Sequence, residues 1–286
     1  RGFIESSRLL ELWARWQGLD RQIHTGEYLL VPGLSGIGFL ERLGRGDVLS
    51  YQITLPEGIT LQQALQRLHD DRRLVRELQD AHDPLLLELV SPMTSPEGWF
   101  LPETYRFVAG DSDYDILRRA HHLMQRELIR VWEARSRDTP LMTPYEALTL
   151  ASIVERETSV AKERATIAGV FSRRLEAGMR LQTDPTVIYG LGSDFDGNLK
   201  RRHLKDAANP WNTYRIKGLP PTPIALPGVA ALEAAVRPAS GAALYFVARG
   251  DGYHVFSETI EEHNANVQRY QLSRKVDYRS TPKGGD

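Results

Sequence analysis

Between Asp113 and Ser136 the apolar residues Ile116, Leu117, Ala120, Leu123, Met124, Leu128 and Val131 recur three or four positions apart, which is the spacing of one face of a helix. A helix of that length with a single apolar face has to bury it, so the rest of the chain must supply a core to receive it. A second helix start follows at Thr143-Pro144-Tyr145-Glu146. Thr143 can accept a hydrogen bond from the first turn, proline is preset for the first helical position, and Glu146 can close a capping box. This helix is expected to run at least through Glu157, with Leu150, Ile153, Val154, Glu157 and Ala161 on one face. Glu157 therefore interrupts an apolar stripe.

A carboxyl on an apolar stripe loses hydration when charged, and its pKa rises toward the range a general acid needs near neutral pH. Helix geometry alone also allows a plainer outcome, in which Glu157 sits at the edge of the stripe with its carboxylate in water. Glu155 lies two positions away, roughly 200° around the helix, beside Ala151, Ser152 and Ser159 on what reads as a more polar face. The two carboxylates cannot face each other from one helix, and Glu157 is the better acid candidate.

At 286 residues the chain exceeds the roughly 150 residues of an average domain and suggests two parts. The charges nearly cancel, with 36 Lys and Arg against 37 Asp and Glu, so no overall field favours nucleic acid or an anionic membrane. The absence of cysteine removes disulfides, thiolate catalysis and cysteine metal sites, and fits a periplasm as well as a cytoplasm. No run of about 18 apolar residues is present to span a bilayer. The start at Arg1 rather than Met suggests a processed or trimmed chain, in which case an N-terminal signal or anchor could have been lost.

The first ninety residues hold a loose internal repeat: Tyr28–Val31, Pro32-Gly33 and Ile37–Leu43, then Tyr51–Leu55, Pro56 and Leu61–Leu68. Each unit reads as strand, turn and short helix, the second helix opening with a Thr60/Gln63 capping box. This predicts a small α+β module over residues 1–90 with a binding, spacing or scaffold role. Pro84, Pro92 and Pro96 mark a junction, and a mixed α/β part is expected over residues 91–286. Within it, 244–256 predicts a β-hairpin, 259–272 a final helix, and 280–286 a frayed end. His121 and His122 are adjacent, point in different directions and have no ligand partner at helical spacing, so they read as solvated or supporting histidines and no metal site is expected. Lys200-Arg201-Arg202-His203 reads as a solvated loop rather than a nucleic-acid site.

Neutral hydrogen-bonding groups and aromatic rings collect in three places. Gln182, Thr183 and Tyr189 flank a short helix for which Asp184 is the expected cap and Pro185 the first residue inside. Asn209-Pro210-Trp211-Asn212-Thr213-Tyr214 and Glu97-Gly98-Trp99-Phe100-Leu101-Pro102-Glu103-Thr104-Tyr105 combine polar groups with rings. Such residues suit a saccharide groove, and turns and cores use them too.

In their order, Glu97-Gly98-Trp99-Phe100, the run Ala151–Thr158, the run Gly178–Gly190, Asn212-Thr213-Tyr214, Gly218-Leu219-Pro220-Pro221, Pro227-Gly228, Tyr245-Phe246-Val247 and His263-Asn264 resemble the YceG-like (MltG) family of endolytic murein transglycosylases. The likeness covers nearly all of residues 95–272 and, more loosely, the first module, which in that family is LysM-like. It implies an α+β protein in which a helix of the second part carries the catalytic glutamate, mapped onto Glu157 with Glu155 as rival. The implied reaction cleaves the bond between N-acetylmuramic acid and N-acetylglucosamine and leaves a 1,6-anhydro end, which limits growing glycan strands. One carboxyl suffices, with no cofactor and no metal. Gln182, Thr183, Asp184, Tyr189, Asn212, Tyr214 and Glu97 are the candidate substrate-binding residues. The implied partners are peptidoglycan glycan strands, with synthases or division proteins as docking candidates. The implied location is the bacterial inner membrane, through a single N-terminal anchor, with the catalytic part in the periplasm. Two other readings stay open: a hydrolytic muramidase using a second carboxylate such as Glu97, Glu103 or Asp184, and a non-catalytic peptidoglycan-binding scaffold.

Overall fold

The computed structural model describes residues 7–18 and 26–272; the chain start and the frayed end expected at 280–286 lie outside them. Helices α1 (Ser7–Trp16) and α2 (Gly36–Arg45) come first. Ser35 caps α2 by accepting from the Gly38 N–H at 3.1 Å, and Gly46 ends it in the left-handed region. The second unit of the repeat forms as expected: strand β1 (Ser50–Thr54), a turn, then α3 (Leu61–Asp70) behind the Thr60/Gln63 capping box. In the first unit only the helix forms. Tyr28–Val31 carries no strand, because β1 pairs with a strand from beyond the junction instead.

That partner is β2 (Thr104–Val108), antiparallel with Gln52 opposite Arg106. Between them lies α4 (Pro84–Leu89). Leu55, Leu61, Leu65 and Leu68 join Phe100, Phe107, Ile116 and Leu117 in one core. Sheet and core both cross position 90.

The apolar stripe found between Asp113 and Ser136 is the spine of the molecule. It lies on α5 (Asp113–Glu133). Its first half, Ile116, Leu117 and Ala120, enters the core just described. Its second half, Met124, Leu128 and Val131, enters a second core built on the following helices. Each such buried aliphatic side chain contributes on the order of 2 kcal/mol of transfer free energy, so one helix couples two cores.

The second core centres on α6 (Pro144–Glu157), packed by α7 (Ala161–Glu176). After these come α8 (Asp184–Leu191), α9 (Arg201–Lys205) and α10 (Val229–Val236), the last lying against α6. The chain closes with the expected hairpin, β3 (Tyr245–Ala248) and β4 (His254–Ser257), and α11 (Ile260–Val267). A π-helical turn over Gln268–Leu272 completes the expected final helix. The fold is α+β.

Four local expectations are corrected. α6 is buried on every side from Ala147 to Val154, so Ala151 and Ser152 do not lie on a solvent face. Ser152 satisfies its hydroxyl internally, donating to the Thr149 carbonyl at 2.7 Å and accepting from the Ile224 N–H at 3.0 Å. Ala161 is not on the stripe, because Thr158 adopts extended backbone and ends α6 at Glu157. His121 is a core residue, with Nδ1 3.1 Å from the Trp99 carbonyl and burial lowering its pKa. Arg201–Lys205 forms a helical turn with His203 buried, in place of a loop. Among the described residues no group of side chains could hold a metal ion, and no helix is long and apolar enough to cross a membrane.

Candidate active site

The end of α6 delivers Glu157 to the floor of an open cavity of about 420 Å³. Its walls are the 181–184 loop, Arg174 of α7, Tyr214, the β3–β4 hairpin and α11. Glu157 itself is half-buried. Desolvation by the surrounding protein raises its pKa to about 7; the Asp184 charge pushes the same way, while the Thr183 hydroxyl, Arg174 and Arg156 pull against it. Its position at the carboxyl end of a helix also disfavours negative charge. The carboxyl is thus held near the point where it can give a proton and take one back.

Thr183 donates its hydroxyl to Glu157 Oε1. That use explains a capping anomaly. Thr183, not the expected Asp184, is the cap residue of α8, yet its side chain makes no cap hydrogen bond. The hydroxyl points to Glu157, and the residue is fixed by other threonines. Thr183 N–H donates to Thr213 Oγ1 at 3.0 Å, and Thr186 Oγ1 donates to the Thr183 carbonyl at 2.8 Å. Beside it, Gln182 has φ +52°, the left-handed region that costs a non-glycine residue roughly 1 kcal/mol. Its N–H is held by the Thr213 carbonyl at 3.2 Å. Strain of this kind persists where the surroundings over-determine the backbone.

Asp184 accepts from the Tyr214 hydroxyl at 2.6 Å, and both line the cavity. The structure therefore gathers Gln182, Thr183, Asp184 and Tyr214 around Glu157. It does not gather the other three. Asn212 is fully buried, its amide donating to the carbonyls of His203, Leu204 and Asp206, so it ties a loop together. Glu97 and Tyr189 meet each other, with the Tyr189 hydroxyl 3.3 Å from Glu97 Oε2, away from this cavity. Glu97 accepts the Leu61 N–H at 3.0 Å and so anchors the start of α3; burial raises its pKa to about 7 as well. Trp99 and Phe100 pack into the cores rather than walling a groove.

Glu155 has a structural job. Its Oε2 accepts the Gly228 N–H at 2.9 Å, at the start of α10, and Oε1 lies 3.6 Å from Arg164. Glu155→Ala should lower stability by about 2 kcal/mol, since it removes the acceptor at a helix start and leaves the partly buried Arg164 with Glu57 as its one carboxylate, also 3.6 Å away. Urea unfolding at neutral pH checks this.

The most informative residue that sequence reasoning passed over is Arg174. Arg174 is buried, donating from Nε to the Leu244 carbonyl at 2.6 Å and from Nη1 to the Leu181 carbonyl at 2.7 Å, with its guanidinium 5.0 Å from the Tyr245 ring centre. It therefore clamps the hairpin and the 181–184 loop to α7. Its signal was present: it falls three or four positions after Val170 and Phe171 on an apolar face, the same pattern that exposed Glu157.

Fold and site together define an α+β protein with a carboxyl of raised pKa in a cleft walled by hydroxyls, rings and a hairpin. The chain belongs to the YceG-like family, whose model matches residues 1–269. It is 29% identical over 289 residues to an endolytic murein transglycosylase of Bacillus subtilis, covering 95% of this chain and 79% of that one. A Streptococcus pneumoniae protein of the same name is 26% identical over 310 residues, covering 96% of this chain and 55% of its own length. A crystal structure of a YceG-like protein from Listeria monocytogenes superposes with a TM-score of 0.63 at 27% identity, covering 92% of this chain and 90% of that one.

Proposed function

We propose that this chain is a lytic transglycosylase of peptidoglycan, cleaving within strands between N-acetylmuramic acid and N-acetylglucosamine, with Glu157 as the catalytic acid. The observation that carries the reading is a carboxyl of pKa about 7 facing a cavity of the size that takes sugar units. In the reaction, protonated Glu157 gives its proton to the bridging oxygen and the bond from that oxygen to the muramoyl C1 breaks. The C1 cation is met by the sugar's own 6-hydroxyl, the O6–C1 bond forms, and the hydroxyl proton passes to the Glu157 carboxylate. The product is a 1,6-anhydro end, no water is consumed, and the acid is regenerated. Gln182, Asp184 and Tyr214 supply polar contacts to the glycan, and Thr183 orients the carboxyl.

Thr183→Val tests the coupling of these groups. The Thr183 hydroxyl favours the charged form of Glu157, so its removal should raise that pKa and move the alkaline limb of the pH–rate profile to higher pH. An unmoved limb would argue that the two side chains are uncoupled.

Asp184 in the same cavity supports a second reading, hydrolysis, in which it activates water. Mass spectrometry of the products separates the two, because anhydro ends are one water lighter than reducing ends.

The LysM-like reading of residues 1–90 is supported by the strand–turn–helix unit β1–α3, and we assign that module to holding the glycan while residues 91–286 cut it. The division is one of roles, since the β1–β2 sheet joins the two. Membrane anchoring ahead of this chain, a periplasmic catalytic part and docking to synthases or division proteins are proposed on family grounds.

A further inference from the structure

One wall of the cavity contains a built group that the mechanism above leaves without a task. Glu163 is buried on α7, and its carboxylate is filled by donors. Oε1 accepts the His254 backbone N–H at 2.8 Å, and Oε2 lies 2.8 Å from His254 Nδ1 and accepts the Thr158 hydroxyl at 3.4 Å. A carboxylate opposite Nδ1 places the ring proton there. In the neutral ring Nε2 then carries a lone pair. Among the described residues the His254 ring is hydrogen-bonded through Nδ1 alone, and His254 lines the same cavity as Glu157.

Part of the surroundings of this acceptor is apolar. The Phe246 ring, on the same face of the hairpin, meets the His254 ring edge to face at 5.4 Å, and Phe246 and Ile260 line the same cavity. A ligand group that offers one N–H and one methyl in close company answers such a wall. Among the substituents of a peptidoglycan strand, the 2-acetamido group has that pair.

We propose that His254, oriented by Glu163 and backed by Phe246 and Ile260, forms a subsite for an N-acetyl group of the glycan, with Nε2 accepting the acetamido N–H. This rests on the reading that the cavity takes glycan. His254 is a specificity-determining residue here and transfers no proton. Glu163 is a positioning residue that acts through it.

The test is binding in the Glu157→Gln background, using glycan strands in N-acetylated and chemically N-deacetylated form. The parent is expected to prefer the acetylated strand by about tenfold, the usual consequence of leaving a dedicated hydrogen-bonding group without its partner. Adding His254→Asn, whose amide can keep the contact to Glu163 but does not reach the Nε2 position, should cut that preference to about twofold with the thermal midpoint unchanged. The charge of the deacetylated amine affects both proteins alike, so the change in the ratio is the readout. An unchanged ratio overturns the subsite. Should the Asn variant fold poorly, Ile260→Ser at an exposed position decides: reduced preference supports the subsite and an unchanged one overturns it. Absence of binding to either strand overturns the glycan reading itself, a different result from equal binding to both.

Discussion

Glu157→Gln is expected to lower glycan cleavage by about three orders of magnitude, within the range that a positioned general acid supplies, with the fold retained. The amide keeps the shape and can still accept from Thr183, but it has no proton to give the leaving oxygen. Release of anhydro-ended fragments from sacculi, followed over time, measures it. Wild-type activity in this variant would remove Glu157 from the mechanism, and loss of cleavage in a folded Glu155→Gln protein would then move the role to Glu155.

The same carboxyl sets two pH dependences. As an acid it must be protonated, so activity should decline as pH rises through about 7. For stability, the native pKa of about 7 lies above the ordinary value of 4.5, so the native state binds the proton more tightly than the unfolded chain. That contribution is fully present below about pH 4.5 and is lost as pH rises through 7. A shift of this size corresponds to about 3 kcal/mol, and Glu97, raised to about 7 by burial, acts in the same direction. Glu157→Gln removes one of these two dependences. Its unfolding free energy should therefore fall less steeply between pH 4.5 and 7 than that of the wild type, which chemical denaturation at several pH values would show.

The legible parts of the fold were those in which local chemistry and tertiary environment agree. The α5 stripe, the Thr60 and Thr143 helix starts and the 245–257 hairpin follow from spacing and capping that neighbours only reinforce. The strand expected at Tyr28–Val31 fails because strand formation depends on a partner, and β2, some fifty residues after β1, takes that place. Glu157 was legible for the same reason as Arg174 could have been: a charge on an apolar face must have a purpose or a partner. Asn212 and Tyr189 show the converse. An amide in a loop or a phenol on a short helix looks alike in sequence whether it faces a sugar or buried groups of the protein, and only the folded path of the chain separates the two. The hairpin was recognised as structure, but its role as a cavity wall depends on Glu163, 91 positions from His254.

A large stability effect away from the cleft is expected at Gly98. Its φ of +85° belongs to a region that L side chains avoid, and a Cβ there would lie 2.5 Å from Pro223 Cβ and 2.7 Å from Pro223 Cγ. Both penalties are hard to relieve. The proline ring is buried and cannot rotate aside, and the backbone on either side is fixed by Glu97, bound to α3, and by Trp99, packed against both cores. Gly178 serves as the control, because its φ of +64° is also left-handed but a Cβ there meets nothing within 4 Å. Gly178→Ala should thus cost only about 1 kcal/mol for the backbone conformation. Gly98→Ala adds the steric collision and should cost about 3 kcal/mol or more, lowering the thermal midpoint by roughly 5 °C in a chain of this size. Calorimetry on the two variants side by side decides it: equal midpoints would mean that the segment around Pro223 can move, and that the two cores are less rigidly joined at this point than their packing implies.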